Sequence, residues 1–233
     1  MKIGIIVAMD KERAQLVKLL DSPVHEHRNH KEFVRGTLGC HEIVLQQCGI
    51  GKVNSAIGAV EMIDGYAPDL VISTGVAGGA DPSLNVRDVV VGTQYVYHDA
   101  YCGDQCAYGQ LQGMPERYQM APMLAETMAD MTREHSEDGD VALRQGLIVS
   151  GDWFVDTQDK MRAIMAHFPE AMAVDMESCS IAQTCHVYGV PFVSIRIISD
   201  VPLRDTKASQ YFDFWDRLAD ESFGITRSLL EKI

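Results

Sequence analysis

Four carboxyl groups stand where the chain passes between strands and helices. Asp175 and Glu177 come at the start of a helical pattern, and Asp200 comes directly after a buried strand. Glu12 falls in the first helical turn after the first strand. Ligands of open α/β sheets bind beyond the carboxyl ends of the strands, where carboxyl groups can donate or accept protons. These positions indicate a site of proton-transfer chemistry. The alternative interpretation is that the carboxyl groups form a charged helix cap and a charged loop.

These carboxyl groups depend for their positions on strands and helices that alternate along the chain. Lys2–Ala8 reads as a buried strand, and a helix over Asp10–Leu20 follows it. The apolar run Pro191–Ile198 is typical of a strand buried on both faces. A helical pattern that ends at Gly189 precedes it, and the helix dipole favours the ionised form of Glu177 in its first turn. The other predicted strands are Phe33–Leu38 and His41–Cys48 (a hairpin), Pro68–Thr74, Asp88–Tyr97 and Leu143–Val149, and the other helices are Lys52–Asp64, Pro122–Thr132, Thr157–Phe168 and Ser209–Ile233.

This alternation predicts an α/β fold with three layers, αβα. The central sheet is expected to be mixed, largely parallel and twisted, with helices on both faces. No internal repeat or Pro/Ser-rich linker divides the 233 residues, so we expect one domain over residues 1–233.

The bulk composition limits the classes of partner. A net charge of −13 argues against nucleic acid or an anionic membrane as the main partner. No apolar run is long enough to cross a membrane, and no cleavage site follows the N-terminal apolar stretch, so we expect a cytoplasmic protein. Cys102 and Cys106, with His98 nearby, have a spacing that zinc could use, but free thiols in a reducing cytosol are the favoured interpretation.

Two glycine-containing segments follow predicted strands. Gly49 and Gly51 make a tight turn into a helix, and this GIGK segment lacks the spacing and the Ser/Thr of a phosphate loop. Gly75–Gly79 follows a buried strand, and its small residues leave room for a ligand against bare main chain. A simple tight loop is the alternative for the second segment. The candidate contacts there are Val76, Ala77 and Gly78.

Seven segments, MKIGIIVAMDKE, GIGKVNSA, ISTGVAGGA, VVVGTQYVYHDA, GLIVSGDWF, AVDMES with IAQTCH, and VPFVSIRIISD, occur in this order along almost the whole chain. Together they resemble the 5′-methylthioadenosine/S-adenosylhomocysteine nucleosidases, which have the nucleoside phosphorylase/hydrolase fold. That family cleaves the bond between adenine and the ribose with water as nucleophile. The resemblance implies no cofactor and no metal. The reaction passes through an oxocarbenium-like state and usually needs one carboxyl as acid and another as base.

The resemblance also implies a role for each site residue. Glu12 activates the water, and Asp200 protonates the purine so that a neutral adenine leaves. Glu177 accepts hydrogen bonds from the ribose hydroxyls. The remaining expected substrate-binding positions are Met176 against the sugar, Phe154 and the main chain of Val155 at the adenine, Met9, Ile50 and Phe212 on the 5′ side, Ser199 beside Asp200, and Asp175 and Arg196 with the acid cluster.

The chain departs from the family pattern at several positions. Val7 stands where the family usually has glycine, and Asp175 stands where glutamate is common. The family resemblance implies a homodimer in which the loop Tyr101–Gly113 lies near the partner's pocket. This loop is unusually polar here and carries Gln112 near the usual place of a proline. We therefore expect the preference to shift from small apolar 5′ groups towards polar ones, by about 10- to 200-fold for one lost hydrophobic contact.

Three other functions fit the same fold less well. Phosphorylases that resemble this chain bind phosphate with an arginine just before the glycine-rich segment, where this chain has Ser73-Thr74. A hydrolase of futalosine or AMP is a second alternative, and AMP would require a basic site that the sequence does not offer. A nucleoside-binding module without turnover could dispense with a general acid, yet both Glu12 and Asp200 are present.

Overall fold

The computed structural model describes residues 1–137, 141–204 and 223–233 of the 233-residue chain. Within them, helices cover both faces of a mixed ten-stranded sheet, as the alternating pattern predicted. The strands are β1 (Lys2–Val7), β2 (Asp21–Arg28), β3 (Lys31–Leu38), β4 (His41–Gln47), β5 (Leu70–Gly79), β6 (Val89–Tyr97), β7 (Tyr118–Gln119), β8 (Leu143–Ser150), β9 (Ala171–Asp175) and β10 (Phe192–Asp200). The helices are α1 (Asp10–Val17), α2 (Lys52–Tyr66), α3 (Ala125–Glu137, after a 3₁₀ turn at Pro122–Leu124), α4 (Gln158–Met165), α5 (Ser178–Tyr188) and α6 (Gly224–Lys232).

The order of the strands brings the ends of β1, β5 and β10 together. The sheet runs β10-β6-β8-β9-β5-β1-β4-β3-β2, with β7 paired to β6. β1 is parallel to β4 and β5, and β5 is parallel to β10, so these four strands end at the same edge. β5 also pairs with β9, which closes β5, β10, β6, β8 and β9 into a ring. β5 therefore has three strand partners, β1, β9 and β10.

β5 is longer than predicted. Its sequence was expected to turn through Gly75–Gly79, but the strand continues to Gly79. Gly78 pairs with Asp200 of β10 on one side and with Val174 of β9 on the other. A Cβ added to Gly78 would lie 3.1 Å from the Val174 side chain, which is closer than most Cβ contacts. The small residues therefore let three strands meet rather than making a loop.

Three strands were not predicted: β2, β9 and the two-residue β7. β2 reads DSPVHEHR and is exposed along most of its length, so it shows no apolar alternation. Its pairing with the hairpin strand β3 makes it a strand. β9 has five residues and was read as part of the segment that leads into α5. Of the predicted C-terminal helix Ser209–Ile233, the described part is α6, and the remainder lies outside the described residues.

The core has two main layers, which pack against opposite faces of the sheet. Ile3 and Ile5 of β1 pack in the layer formed with α1, α3 and α6. Ile6 of β1 packs in the layer formed with α2 and α5, where Met62 and Ile181 are buried. α4 covers β8 and β9 through a third apolar cluster. No helix among the described residues is long and apolar enough to span a membrane.

Candidate active site

One pocket opens where the ends of β1, β5, β9 and β10 converge. It encloses about 640 Å³ of space, including its open mouth. Arg196 lines an adjoining cavity instead, and Phe212 lies outside the described residues. The structure places most of the predicted site residues on the pocket wall: Met9, Glu12, Ile50, Val76, Ala77, Gly78, Phe154, Val155, Asp175, Met176, Glu177, Ser199 and Asp200.

Glu12 is buried and held in one orientation by main-chain amides. One carboxylate oxygen, Oε2, accepts hydrogen bonds from the N–H groups of Ala8 and Met9, both at 2.9 Å. The other, Oε1, accepts from Val76 N–H at 3.0 Å. Burial raises the pKa of Glu12, while the charge of Arg196 and the three amides oppose that shift. The residue is 2% exposed, so its carboxyl group can react only with what enters the pocket.

The sequence placed Glu177 in the first turn of a helix, but the residue is the N-cap of α5. Its Oε1 accepts a hydrogen bond of 2.9 Å from the main-chain N–H of Gly51, just before α2. Burial, followed by the nearby charge of Asp175, raises the pKa of the Glu177 carboxyl group. The glycine turn before α2 thus supplies a hydrogen bond to the acid cluster.

Asp200 is the last residue of β10, whereas the sequence placed it just past the strand. The Ser199 hydroxyl donates to Asp200 Oδ1 at 2.7 Å and lies 3.2 Å from the carbonyl oxygen of Ala77. Burial raises the pKa of Asp200, and the bond from Ser199 opposes the shift. Among the described residues, Asp200 therefore has less hydrogen-bond support for its charged form than Glu12 has.

The segment between β8 and α4 supplies an aromatic wall. Phe154 is about half-exposed and Val155 is buried, and both line the pocket beside Trp153. Lys160 of α4 donates to the Phe154 carbonyl oxygen at 3.1 Å and to Asp156 at 2.7 Å. These bonds fix the segment from its outer side and leave the Phe154 ring at the pocket.

Asp175 and Arg196 form a buried ion pair next to the pocket. Arg196 Nε donates to Asp175 Oδ2 at 2.6 Å, and Arg196 Nη2 donates to the Ser73 hydroxyl at 2.8 Å. Ser150 at the end of β8 donates to Asp175 Oδ1 at 2.5 Å, and the Ser178 hydroxyl binds Oδ2. Sequence reasoning did not assign roles to these serines, although Ser150 ends a predicted strand segment and Ser178 directly follows Glu177.

A small cavity adjoins the pocket and measures about 200 Å³ when the space open to solvent is included, and Glu12, Glu177 and Arg196 all line it. Arg196 Nη1 has no hydrogen-bond partner among the described residues, although the atom is buried. The charge of Arg196 acts on both glutamates and favours their ionised forms. The arrangement therefore offers one buried donor and two carboxyl groups around the same space.

The comparisons with known proteins agree on one family. A model of the phosphorylase superfamily matches residues 2–231. A 5′-methylthioadenosine/S-adenosylhomocysteine nucleosidase of Desulfotalea psychrophila is 39% identical over 238 residues, which cover 100% of this chain and 98% of that protein. The chain belongs to this nucleosidase family.

Solved structures of nucleosidases have the same fold. The nucleosidase of Neisseria meningitidis, in complex with methylthio-immucillin-A, aligns with a TM-score of 0.91 and 35% identity and covers 100% of this chain and 99% of that chain. The nucleosidase of Colwellia psychrerythraea, in complex with adenine, has a TM-score of 0.90 and 32% identity and covers 99% of this chain and 95% of that chain. The predicted α/β fold and the resemblance to this nucleosidase family are both confirmed.

Proposed function

We propose that this nucleosidase hydrolyses the N-glycosidic bond of 5′-methylthioadenosine and S-adenosylhomocysteine, with water as nucleophile, and releases adenine. The observation that carries the proposal is a pair of carboxyl groups, the buried Glu12 and the partly buried Asp200, that line one pocket in different hydrogen-bond environments. The ligands of the related enzymes, an analogue of the nucleoside in one and adenine in the other, support the substrate class.

The two environments assign the acid and the base. Glu12 accepts three main-chain hydrogen bonds and feels the charge of Arg196, and both effects favour a carboxylate that can accept a proton. Asp200 has the Ser199 hydroxyl as its partner, and burial favours the protonated acid. Burial raises the pKa of both carboxyl groups, and three main-chain bonds and Arg196 oppose that rise at Glu12, against the one bond from Ser199 at Asp200. Two carboxyl groups in different environments are the usual arrangement for general acid–base catalysis.

Each proton and bond of the reaction then has a place. Asp200 donates its proton to a ring nitrogen of the purine, and the bond from the purine to C1′ breaks with its electrons moving to adenine. The oxygen of a water forms the new bond to C1′, and Glu12 takes the proton that this water loses. We assign to Arg196 Nη1 the orientation of this water, because the atom is a buried donor with no partner among the described residues and Arg196 lines the small cavity with Glu12.

The other pocket residues would bind the parts of the substrate that surround the bond to be broken. Glu177 lines the pocket and would accept hydrogen bonds from the ribose hydroxyls, with Met176 against the sugar. Phe154 would stack on the adenine, and the main chain of Val155 would bind the edge of the base. The 5′ group would lie towards the apolar side chains of Met9 and Ile50, which line the same pocket.

We propose that the protein is a homodimer and that α2 and α5 form the interface. Val53 and Ile57 of α2 are 70% and 47% exposed, and Val187 and Tyr188 at the end of α5 are 60% and 43% exposed. An exposed apolar face of this kind is typical of an interaction surface. It adjoins the mouth of the pocket, because the pocket residue Ile50 lies just before α2 and is 52% exposed.

The loop 101–113 would lie near the partner's pocket in this dimer. Tyr108 stacks on His167 with ring centroids 3.7 Å apart, which anchors the loop to the segment after α4, and Tyr101 is 61% exposed. Light scattering should give the mass of two chains, and Val53→Glu should shift the equilibrium towards the monomer. A fully active monomeric wild type would contradict the proposal.

Adenine release from 5′-methylthioadenosine and from S-adenosylhomocysteine, followed by chromatography, tests the substrate assignment. The proposal requires saturable release from both nucleosides. Absence of adenine with both nucleosides would overturn it. Hydrolysis is favoured over phosphorolysis because the position expected for a phosphate-binding arginine is Ser73, whose hydroxyl binds Arg196 instead.

A further inference from the structure

Asp175 lies on the pocket wall two residues before Glu177, and the sequence suggested that it binds the substrate. Its carboxylate nevertheless faces the protein. We propose that Asp175 is a positioning residue that affects the reaction through Arg196 and makes no hydrogen bond to the substrate. This inference rests on the proposed function, because it requires Arg196 to act in the hydrolysis.

Both carboxylate oxygens of Asp175 already have protein donors. Oδ1 accepts from the Ser150 hydroxyl at 2.5 Å and from the main-chain N–H of Ser178 at 3.3 Å. Oδ2 accepts from Arg196 Nε at 2.6 Å and from the Ser178 hydroxyl. The Asp175 side chain is 1% exposed. A carboxylate offers about four acceptor positions, so little capacity and almost no surface remain for a ligand.

The same bonds determine the orientation of Arg196. Its guanidinium group is planar, with its donors in a fixed fork. Asp175 binds Nε and Ser73 binds Nη2, on different parts of the group, so the direction of Nη1 is fixed. The Arg196 side chain is 3% exposed and lines the small cavity with Glu12 and Glu177. Loss of the Asp175 carboxylate would therefore free Arg196, which lines this cavity with Glu12 and Glu177, to change its orientation.

A chain of hydroxyl groups holds Asp175 itself. The Ser150 hydroxyl donates to Asp175 and accepts from the main-chain N–H of Cys179 at 2.9 Å. The Ser178 hydroxyl gives its single hydrogen to Asp175, so its 2.7 Å bond with the Ser194 hydroxyl has Ser194 as the donor. These bonds connect β8, β9, α5 and β10. They keep the Asp175 carboxylate directed at Arg196 rather than at the pocket.

A double-mutant cycle tests this assignment, with Asp175→Asn, Arg196→Gln and the double variant. Asp175→Asn should lower kcat by about 10²-fold, the cost of misplacing a reacting group by about 1 Å, with KM for 5′-methylthioadenosine changed by less than about threefold. If Asp175 acts through Arg196, kcat of the double variant should equal that of Arg196→Gln. Multiplicative losses of kcat, or a large rise in KM with kcat unchanged, would overturn the inference.

The stability of each variant must be measured separately, because either single substitution leaves a buried charged group without its charged partner. The double variant lacks the unpaired Asp175 carboxylate that Arg196→Gln leaves buried, so it should melt at a higher temperature than Arg196→Gln. Asp88→Asn is the matched control, since Asp88 is buried, its carboxylate accepts main-chain bonds from Asn85 and Ala142, and it does not line the pocket. It should lower the melting temperature and leave kcat and KM unchanged; a loss of kcat equal to that of Asp175→Asn would overturn the inference.

If Arg196→Gln does not fold, Ser73→Ala replaces it in the cycle, because Ser73 binds a different nitrogen of the guanidinium group, Nη2. Asp175→Asn and Ser73→Ala should then be non-additive in kcat, and additive losses would contradict the inference. Failure of the proposed function can be distinguished from failure of this inference. An inactive wild type overturns both claims, whereas an active wild type with additive losses overturns only the role of Asp175.

Discussion

Replacing Glu12 by glutamine tests the proposed base with little change of shape. The amide oxygen can still accept from Ala8 and Met9, but the amide nitrogen would face the N–H of Val76 and lose that bond. The unpaired buried donor costs about 1–3 kcal/mol, and removal of a buried charge offsets part of this loss. At about 2–4 °C per kcal/mol for a chain of this size, the melting temperature should fall by less than about 10 °C.

The effect of Glu12→Gln on turnover should be much larger than its effect on folding. Loss of a positioned base lowers kcat by about 10²–10⁴-fold, equivalent to about 2.7–5.4 kcal/mol in the barrier. Initial rates of adenine release at saturating 5′-methylthioadenosine give kcat, and a melting curve gives stability for the same preparation. A folded Glu12→Gln variant that keeps kcat within a few-fold of the wild type would refute the assignment of Glu12 as base.

Glu61→Gln is the matched control for that comparison. Glu61 also accepts several hydrogen bonds, from Asn29 at 3.0 Å and Gln46 at 3.3 Å, and pairs with Lys31 at 3.4 Å. It does not line the pocket. Its substitution should change stability and leave kcat within about twofold of the wild type.

Three further variants test other parts of the site. Asp200→Asn should lower kcat by about 10²-fold or more while calorimetry shows 5′-methylthioadenosine still bound, because an amide can hydrogen-bond but cannot deliver the proton; near-normal kcat would exclude Asp200 as the acid. Ser199→Ala removes the bond that favours the Asp200 carboxylate, so the pKa of Asp200 should rise and the alkaline limb of the kcat–pH profile should move to higher pH; an unchanged or lowered limb would contradict this. Gln112→Pro should raise kcat/KM for 5′-methylthioadenosine relative to S-adenosylhomocysteine, and an unchanged ratio would show that loop 101–113 does not set the preference.

The sequence predicted the carboxyl groups of the site because strand ends are readable from apolar runs. Glu12 and Asp200 follow or end the buried strands β1 and β10, and both line the pocket. The direction of Asp175 could not be predicted. Asp175 and Glu177 are two residues apart, and one ends β9 while the other caps α5, so the local backbone decides which carboxylate turns inwards.

Other features depended on contacts between distant segments. β5 was expected to stop before its glycines, and the partners β9 and β10 that extend it lie about 100 residues or more further along the chain. The exposed strand β2 carries no apolar pattern, because its position is set by pairing with β3 alone. Ser73 was noted as a missing arginine, but its bond to Arg196 spans 123 residues and has no local signature.

The central claim is that water, rather than phosphate, attacks C1′. The most direct measurement is turnover of 5′-methylthioadenosine in oxygen-18-labelled water, with and without phosphate, followed by mass spectrometry of the sugar. The account predicts the same rate of adenine release in both conditions and one labelled oxygen in the free sugar. Dependence of the rate on phosphate, or a sugar 1-phosphate as product, would contradict it.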